Sequence, residues 1–208
     1  MPNRRTGSAR SMLLKGLGAA ALAAMAVVGS YSLYHIHIRH RLGTVTLGQV
    51  YQSGVMPPAE LQRQARLLGL KSVIDLRTFQ PGEDSTNTTD LGTIRKEAQA
   101  LAEIGVRHIH LPTPQVPTDA TVDRFLMAIR DPANRPALIH CYHGVGRTEL
   151  FVAIYRMEFE HWSNERARAA TRLLLAGSSF SDTAEKGLFL IRYKPRLAGL
   201  AAFTPVPR

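Results

Sequence analysis

The sequence predicts an α/β domain with a central, largely parallel sheet flanked by helices, and three observations carry that expectation. Short apolar segments with strand character alternate with amphipathic, helix-length stretches from residue 45 to residue 193. The strand-like segments from residue 71 onward are separated by helical stretches, the connection that parallel strands require. The last of them, Pro136-Ala-Leu-Ile-His140, runs straight into a loop with two glycines and then a long apolar helix.

Taken in order, Val45 to Tyr51 reads as a first strand. Pro58 to Leu68 reads as a helix with Leu61, Ala65 and Leu68 on one side. Lys71 to Arg77 is a short strand carrying Val73, Ile74 and Leu76. Thr78 to Thr93 is rich in Thr, Asp, Asn and Gly and reads as a loop. Ile94 to Ile104 is helical and ends at Gly105, a suitable C-cap. Val106 to Leu111 alternates as a strand, and the three prolines of 112–118 impose a loop. Asp119 to Arg130 reads as a helix with Val122, Phe125, Leu126 and Ile129 inward. Arg147 to Phe159 is apolar nearly all round, the pattern of a buried helix. Ser163 to Leu175 and Ala184 to Tyr193 read as two closing amphipathic helices.

Net charge is +10 over 208 residues, but it is unevenly placed. Arg4, Arg5, Arg10, Lys15, Arg39 and Arg41 put six of those charges into residues 1–41, which hold no acid, leaving +4 on 42–208. The high pI therefore reflects the N-terminus. No interleaving of basic and aromatic residues points to nucleic acid. A single cysteine excludes an internal disulfide framework and a CxxC zinc site. No metal site is evident, and the chemistry expected below calls for no metal or cofactor.

The chain divides at this level into a basic N-terminal segment, 1–41, and a domain, 42–208. The run 16–33 carries no charge and is rich in alanine, with four basic residues before it and two after. That layout is the one of a signal anchor or a signal peptide. The run is near the lower limit of the ~20 apolar residues a spanning helix needs. Charge asymmetry places the N-terminus in the cytoplasm and the domain on the far side. The expectation is a single membrane-anchoring helix, with a cleaved leader and a secreted or periplasmic domain as the alternative.

The chemistry concentrates in His140-Cys141-Tyr142-His143-Gly144-Val145-Gly146-Arg147-Thr148. Strand, glycine loop, helix is an order that sets first-turn amides, which lack intrahelical partners, facing an anion. Gly144 and Gly146 let the backbone curl so that the amides of Tyr142 to Arg147 converge on one phosphate. Arg147 can grip two phosphate oxygens through its planar fork. The same positive surroundings should lower the pKa of Cys141, so that the nucleophile is a thiolate. Thr148 can donate to the sulfur, and His140 orients the loop through the backbone. A buried structural cysteine beside a plain turn is the simpler alternative, but the arginine, both glycines and the threonine agree against it.

His140-Cys141-x5-Arg147-Thr148 resembles the signature of the cysteine-dependent protein tyrosine and dual-specificity phosphatases. Val50-Tyr-Gln-Ser-Gly54 with Pro57, and Gly69 to Arg77, are similar to the opening of the compact bacterial and atypical dual-specificity members. The resemblance covers roughly 44–175. It implies a protein tyrosine phosphatase-like fold and hydrolysis of phosphate monoesters through a phosphocysteine intermediate. The partner would be a phosphorylated protein, through phosphotyrosine or with dual specificity, or a lipid or other small phosphorylated molecule. Two departures stand out. Glu149 occupies a position that is usually small, and would place a carboxylate near the loop. The loop interior, Tyr142, His143 and Val145, lacks the basic residues of members acting on inositol pyrophosphates, which weighs against a highly phosphorylated inositol.

The family's acid, an aspartate some thirty residues before the cysteine, has no counterpart, because Ile109 and His110 stand there. Asp119, after the proline-rich loop, is the next carboxylate and the candidate proton donor. Asp119 or Thr118 is equally suited to open the following helix. His108 and His110, alternating on a strand, read as structural, as do Asp75 and Arg77. A phosphate-binding module without turnover is the competing function class. An intact thiol argues against it.

Overall fold

The computed structural model describes residues 17, 18, 20–31, 34–78 and 91–197. The chain separates into two units, Met1–Arg41 and Leu42–Arg208.

In the first unit, residues 17, 18 and 20–31 are helical (α1), followed by a short π-helix at Tyr34–Ile38. Among the described residues no helix is long and apolar enough to cross a membrane. The expected anchor over 16–33 is thus not supported as a spanning helix. Residues 16, 19, 32 and 33 of that run lie outside the described residues.

The second unit is an α/β domain around a five-stranded, mostly parallel sheet with strands in the order β1-β2-β5-β3-β4. β1 (Gly43–Thr46) and β2 (Val50–Ser53) pair antiparallel, and all other pairings are parallel. The sequence pattern reads residues 45–51 as one strand. The chain instead reverses there, because Gly48 adopts φ +69 and the Gln49 amide donates to the Thr46 carbonyl at 3.0 Å. β3 (Ser72–Asp75), β4 (Arg107–His110) and β5 (Ala137–His140) fall where expected.

β5 lies between β2 and β3 with all four residues buried. Alternation sends its side chains to two cores. Leu138 joins Val73, Leu61, Ala65 and Leu101 beneath α2 (Pro58–Leu68) and α3 (Leu91–Ala102). Ala137 and Ile139 join Ile74, Phe125 and Phe151 beneath α4 (Asp119–Arg130) and α5 (Arg147–Phe159). Phe125 and Phe151 meet edge to face with centroids 4.8 Å apart, a favoured aromatic geometry.

Ten of the thirteen residues of α5 are buried, which explains its lack of a polar face. The closing segment is less helical than its pattern suggests. α6 (Asn164–Ala169) stops early, and a string of turns leads to α7 (Glu185–Arg192). Most of the predicted loop 78–93 lies outside the described residues. α3 already begins at Leu91.

Register aligns the carboxyl ends of three neighbouring strands. His140 pairs with Ser53 of β2 and Asp75 of β3. The loop that follows β5 therefore opens at the carboxyl edge of the sheet, where open α/β sheets place their ligand crevices.

Candidate active site

The loop from Cys141 to Gly146 closes tightly on itself and on β2. Gly144 has φ +72, a conformation that side chains rarely adopt. A methyl group there would also lie 2.5 Å from the Gly54 nitrogen and 2.7 Å from the Ser53 carbonyl carbon. Gly54 in turn presses on the backbone of Tyr142 and His143, and the Val55 amide donates to the Tyr142 carbonyl at 3.0 Å. Ser53 and Gly54 are therefore the floor that sets the loop's curvature. The Gly144 amide donates to Cys141 Sγ at 3.3 Å.

Cys141 is 3% exposed. Burial alone would push its thiol up. Hydrogen bonds from the Thr148 side chain and backbone, the Arg147 charge and the Gly144 amide outweigh that, and its pKa falls below the ordinary thiol value. Arg147 is buried at the first position of α5. Its Nη1 donates to the Leu76 carbonyl at 3.0 Å, the Thr113 carbonyl at 3.1 Å and Thr78 Oγ1 at 3.4 Å. Those acceptors follow β3 and β4, so two crossover loops fix the guanidinium. Cys141 and Arg147 line one hollow of about 210 Å3 with His143, Val145, Gly146, Gln115, Arg172, Ser179 and Lys186. Tyr142 stands exposed beside it and packs edge-on against the His143 ring.

His140 sits behind the loop, 2% exposed. Its Nδ1 faces the Cys141 carbonyl at 3.3 Å and its Nε2 faces Glu97 Oε1 at 2.9 Å. Two acceptors on one ring require both nitrogens to carry hydrogens, which makes it an imidazolium. Burial opposes that charge, but Glu97 and Asp75 raise the pKa. Arg77 completes the cluster. Its Nε and Nη2 grip Asp75 at 2.8 and 2.7 Å, and Nη2 also reaches Glu97 Oε2 at 2.7 Å.

His108 Nε2 lies 3.3 Å from Glu97 Oε1 and 3.5 Å from Asp75 Oδ2, an ionic contact more than an aligned hydrogen bond. Asp75, Glu97 and His140 bring ligand atoms within 4.8 Å of one another. Arg77 bridges both carboxylates, so their charge is met from within the protein. His110 is placed apart from this cluster, with Nε2 2.9 Å from the Arg77 carbonyl.

Asp119 is not brought to the hollow. It sits in the first turn of α4, its carboxylate paired with Arg196, and lines a separate cavity with Phe189 and Tyr193. Thr118 is the N-cap, accepting from the Thr121 amide at 3.3 Å. Glu149 does not line the hollow either. It is half-buried, accepts from Gln52 Nε2 at 2.8 Å, and burial pushes its carboxyl up.

Glu97, Arg172, Lys186, Gln115 and Ser53 stand at or behind the site without a motif in the sequence that marks them. Glu97 had a signal: it interrupts the inward stripe Ile94, Leu101 of an otherwise amphipathic helix. The other four are joined to Cys141 only by the fold.

A buried strand, a phosphate-sized glycine loop with a cysteine at its base, and an arginine held at the first turn of the next helix define a phosphatase of the protein tyrosine and dual-specificity superfamily. The chain belongs to the family described as DSP-PTPase phosphatase fused to NAD+ kinase, whose model matches residues 51–186. Among curated proteins no sequence matches this one.

Among solved structures, the core catalytic domain of the PP-IP phosphatase SIW14 from S. cerevisiae is similar at 20% identity and TM-score 0.56, over 74% of this chain and 85% of that one. TpbA from P. aeruginosa is 25% identical with TM-score 0.50, over 70% and 80%. A DUF442 protein from Shewanella putrefaciens CN-32 is 18% identical with TM-score 0.54, over 72% and 85%. The yeast and Shewanella likenesses establish a shared fold.

The buried cluster makes stability depend on pH in a defined direction. Burial opposes a charge on either group. For Glu97, the His140 charge and the His108 and His140 contacts hold the pKa at about 2 against an ordinary 4.5. For His108, Asp75 and Glu97 raise it to about 9 from 6.5. The Glu97 contribution is complete above 4.5 and lost as pH falls toward 2. The His108 contribution is complete below 6.5 and lost as pH rises through 9. Urea unfolding of the full chain should show its midpoint falling between pH 6.5 and 9. His108→Asn should make that alkaline decline shallower, with His140 supplying the remainder. An unchanged alkaline slope in the variant would contradict the assignment.

Proposed function

We propose that this protein hydrolyses phosphate monoesters through a phosphocysteine intermediate on Cys141, with protein phosphotyrosine or dual-specificity substrates as its main class. The observation that carries this reading is that Cys141, whose sulfur accepts from the Gly144 amide, and Arg147 line one hollow. The backbone amides of residues 142–147 and the Arg147 fork would hold the three non-bridging oxygens. The thiolate attacks phosphorus, an Sγ–P bond forms, and the bond to the leaving oxygen breaks. The leaving oxygen takes a proton from solvent. Water then attacks phosphorus, its proton passes to solvent, and the thiolate is released together with inorganic phosphate. Thr148 and the Gly144 amide steady the sulfur as it leaves. His140, held by Glu97, positions the Cys141 carbonyl and with it the loop.

Asp119 has a different reading. Its ion pair with Arg196 and its place at the start of α4 support a role in holding the helix end. A proton donor must reach the leaving oxygen in hydrogen-bond range, and Asp119 lines another cavity.

For residues 1–41 the uncharged run between basic flanks supports an anchoring or signal segment, with the domain on the non-cytoplasmic side. Cell fractionation with sequencing of the mature N-terminus separates an anchor from a cleaved leader. Recovery of the uncleaved chain in the cytosolic fraction would contradict both.

Turnover of p-nitrophenyl phosphate by the full chain tests the catalytic reading. Cys141→Ser should abolish it, and vanadate should inhibit the native protein by occupying the cup. Asp119→Asn should keep kcat within about twofold, against the ~100-fold or greater loss expected when a general acid is removed. Full activity in Cys141→Ser would overturn the mechanism, and a hundredfold loss in Asp119→Asn would restore that residue as the acid.

A further inference from the structure

Cleavage of the bond to the leaving oxygen is helped by a proton placed on that oxygen, and Asp119 is turned away from the hollow. Arg147 borders two cavities. One is the hollow with Cys141, and the other, of about 350 Å3, is lined by Thr78, Thr113, Gln115, Val116 and Glu185. Thr78 and Thr113 are acceptors of Arg147 Nη1, so the second cavity meets the guanidinium end of that side chain. Gln115 borders both cavities, which places them side by side. Among the described residues Glu185 is the one carboxylate on the wall of either.

Glu185 opens α7, and two contacts hold that end of the helix against the loop. Gly187 lets α7 press on the turn before it. A methyl group there would fall 1.9 Å from the Ser181 carbonyl oxygen and 2.6 Å from that of Phe180. Lys186 Nζ donates to Gln115 Oε1 at 2.5 Å and lies 3.3 Å from where a Cβ on Gly146 would stand. Glu185, the neighbour of that lysine, is exposed, and among the described residues no hydrogen bond or ion pair engages its carboxylate. Nearby carboxylates are engaged elsewhere: Asp119 with Arg196, Asp182 with Arg168 and Glu149 with Gln52. An acid in the first turn of a helix also suits the dipole. That accounts for the residue type at this end of α7, but not for its place on a cavity wall shared with Arg147.

We infer that Glu185 is the acid–base residue of the reaction, the carboxyl through which the solvent proton reaches the leaving oxygen. The Glu185 carboxylic acid gives its proton to that oxygen as the bond to phosphorus breaks and the bonding pair passes to oxygen. The carboxylate so formed takes a proton from the water that attacks phosphocysteine, while the S–P pair returns to sulfur, and the acid is restored. His143 also lines the hollow, but it stands in the loop that holds the phosphoryl oxygens, with its ring against Tyr142. The inference rests on the phosphocysteine reading above and deepens it.

Phenyl phosphate and p-nitrophenyl phosphate differ in the basicity of the oxygen expelled, and phenoxide depends far more on a proton donor. In the full chain Glu185→Gln should lower kcat/KM about 100-fold on phenyl phosphate and much less on p-nitrophenyl phosphate. Glu185→Ala should do the same, and decides the matter if the amide variant does not fold. Glu165→Gln, which removes an exposed carboxylate from the first turn of α6, should leave both values unchanged. Equal changes on the two esters in the Glu185 variants would mark a helix-end charge only and overturn the inference. So would a leaving-group-dependent loss found in His143→Gln and absent from Glu185→Gln. Parallel assays of Cys141→Ser keep the two readings apart. Turnover that needs Cys141 but shows no selective loss at Glu185 sinks the proton donor alone, and absence of Cys141-dependent turnover in the native protein sinks both.

Discussion

A sulfur 3% exposed to solvent has lost the water that would stabilise its anion, and the protein must replace it. Desolvation of a charge costs several kcal/mol even after relaxation. At Cys141 the replacement comes from Thr148, from Arg147 and from the Gly144 amide. None of these is free to turn away. Arg147 is clamped by the carbonyls that follow β3 and β4, and the Gly144 amide is held by a backbone contact with Ser53 and Gly54 that leaves no room for a side chain. Preorganised dipoles of this kind need not reorganise when charge moves from sulfur to phosphate and back. The sheet is the frame for this arrangement. A strand buried on both faces fixes where Cys141 begins, and parallel register brings Ser53 and Asp75 level with His140.

Behind the loop, the charges of Asp75 and Glu97 are answered by Arg77, His140 and His108. Breaking one partner of such a set leaves a buried charge unanswered, which is strongly destabilising. The set links four elements: β3 through Asp75, α3 through Glu97, β4 through His108 and β5 through His140. Because His140 also faces the Cys141 carbonyl, the cluster ties the position of the nucleophile to the packing of α3 on the sheet. The same residues are thus structural and functional, and neither description is complete alone.

Much of this was legible in the sequence because it is local. The strand–loop–helix order, the spacing from Cys141 to Arg147 and the apolar run of α5 are all readable from neighbours in the chain. The β1–β2 hairpin reads as one strand in the sequence because the β-favouring Val45, Thr46, Val50 and Tyr51 are separated by only three residues, and only the backbone turn at Gly48 reveals the reversal. The anchor helix over 16–33 is expected from composition and flanking charge, whereas among the described residues no helix is long and apolar enough to cross a bilayer. Asp119 satisfied a spacing argument, but spacing along a chain says nothing about the direction a loop takes, and it turns this carboxylate toward Arg196. Arg172 and Lys186 were invisible for the complementary reason. They lie in a turn-rich segment without strong periodicity, and reach the site through the packing of Gly187 on residues 180 and 181.

Since Cys141 is the sole cysteine in the chain, its ionisation can be read without background. The rate of alkylation by iodoacetamide, followed from acid to alkaline pH on the full chain, reports the fraction of thiolate directly. The account predicts a midpoint below the ~8.5 of a free thiol, moving upward when Thr148 is replaced by valine. A midpoint at or above that of a free thiol, unaffected by the substitution, would contradict it.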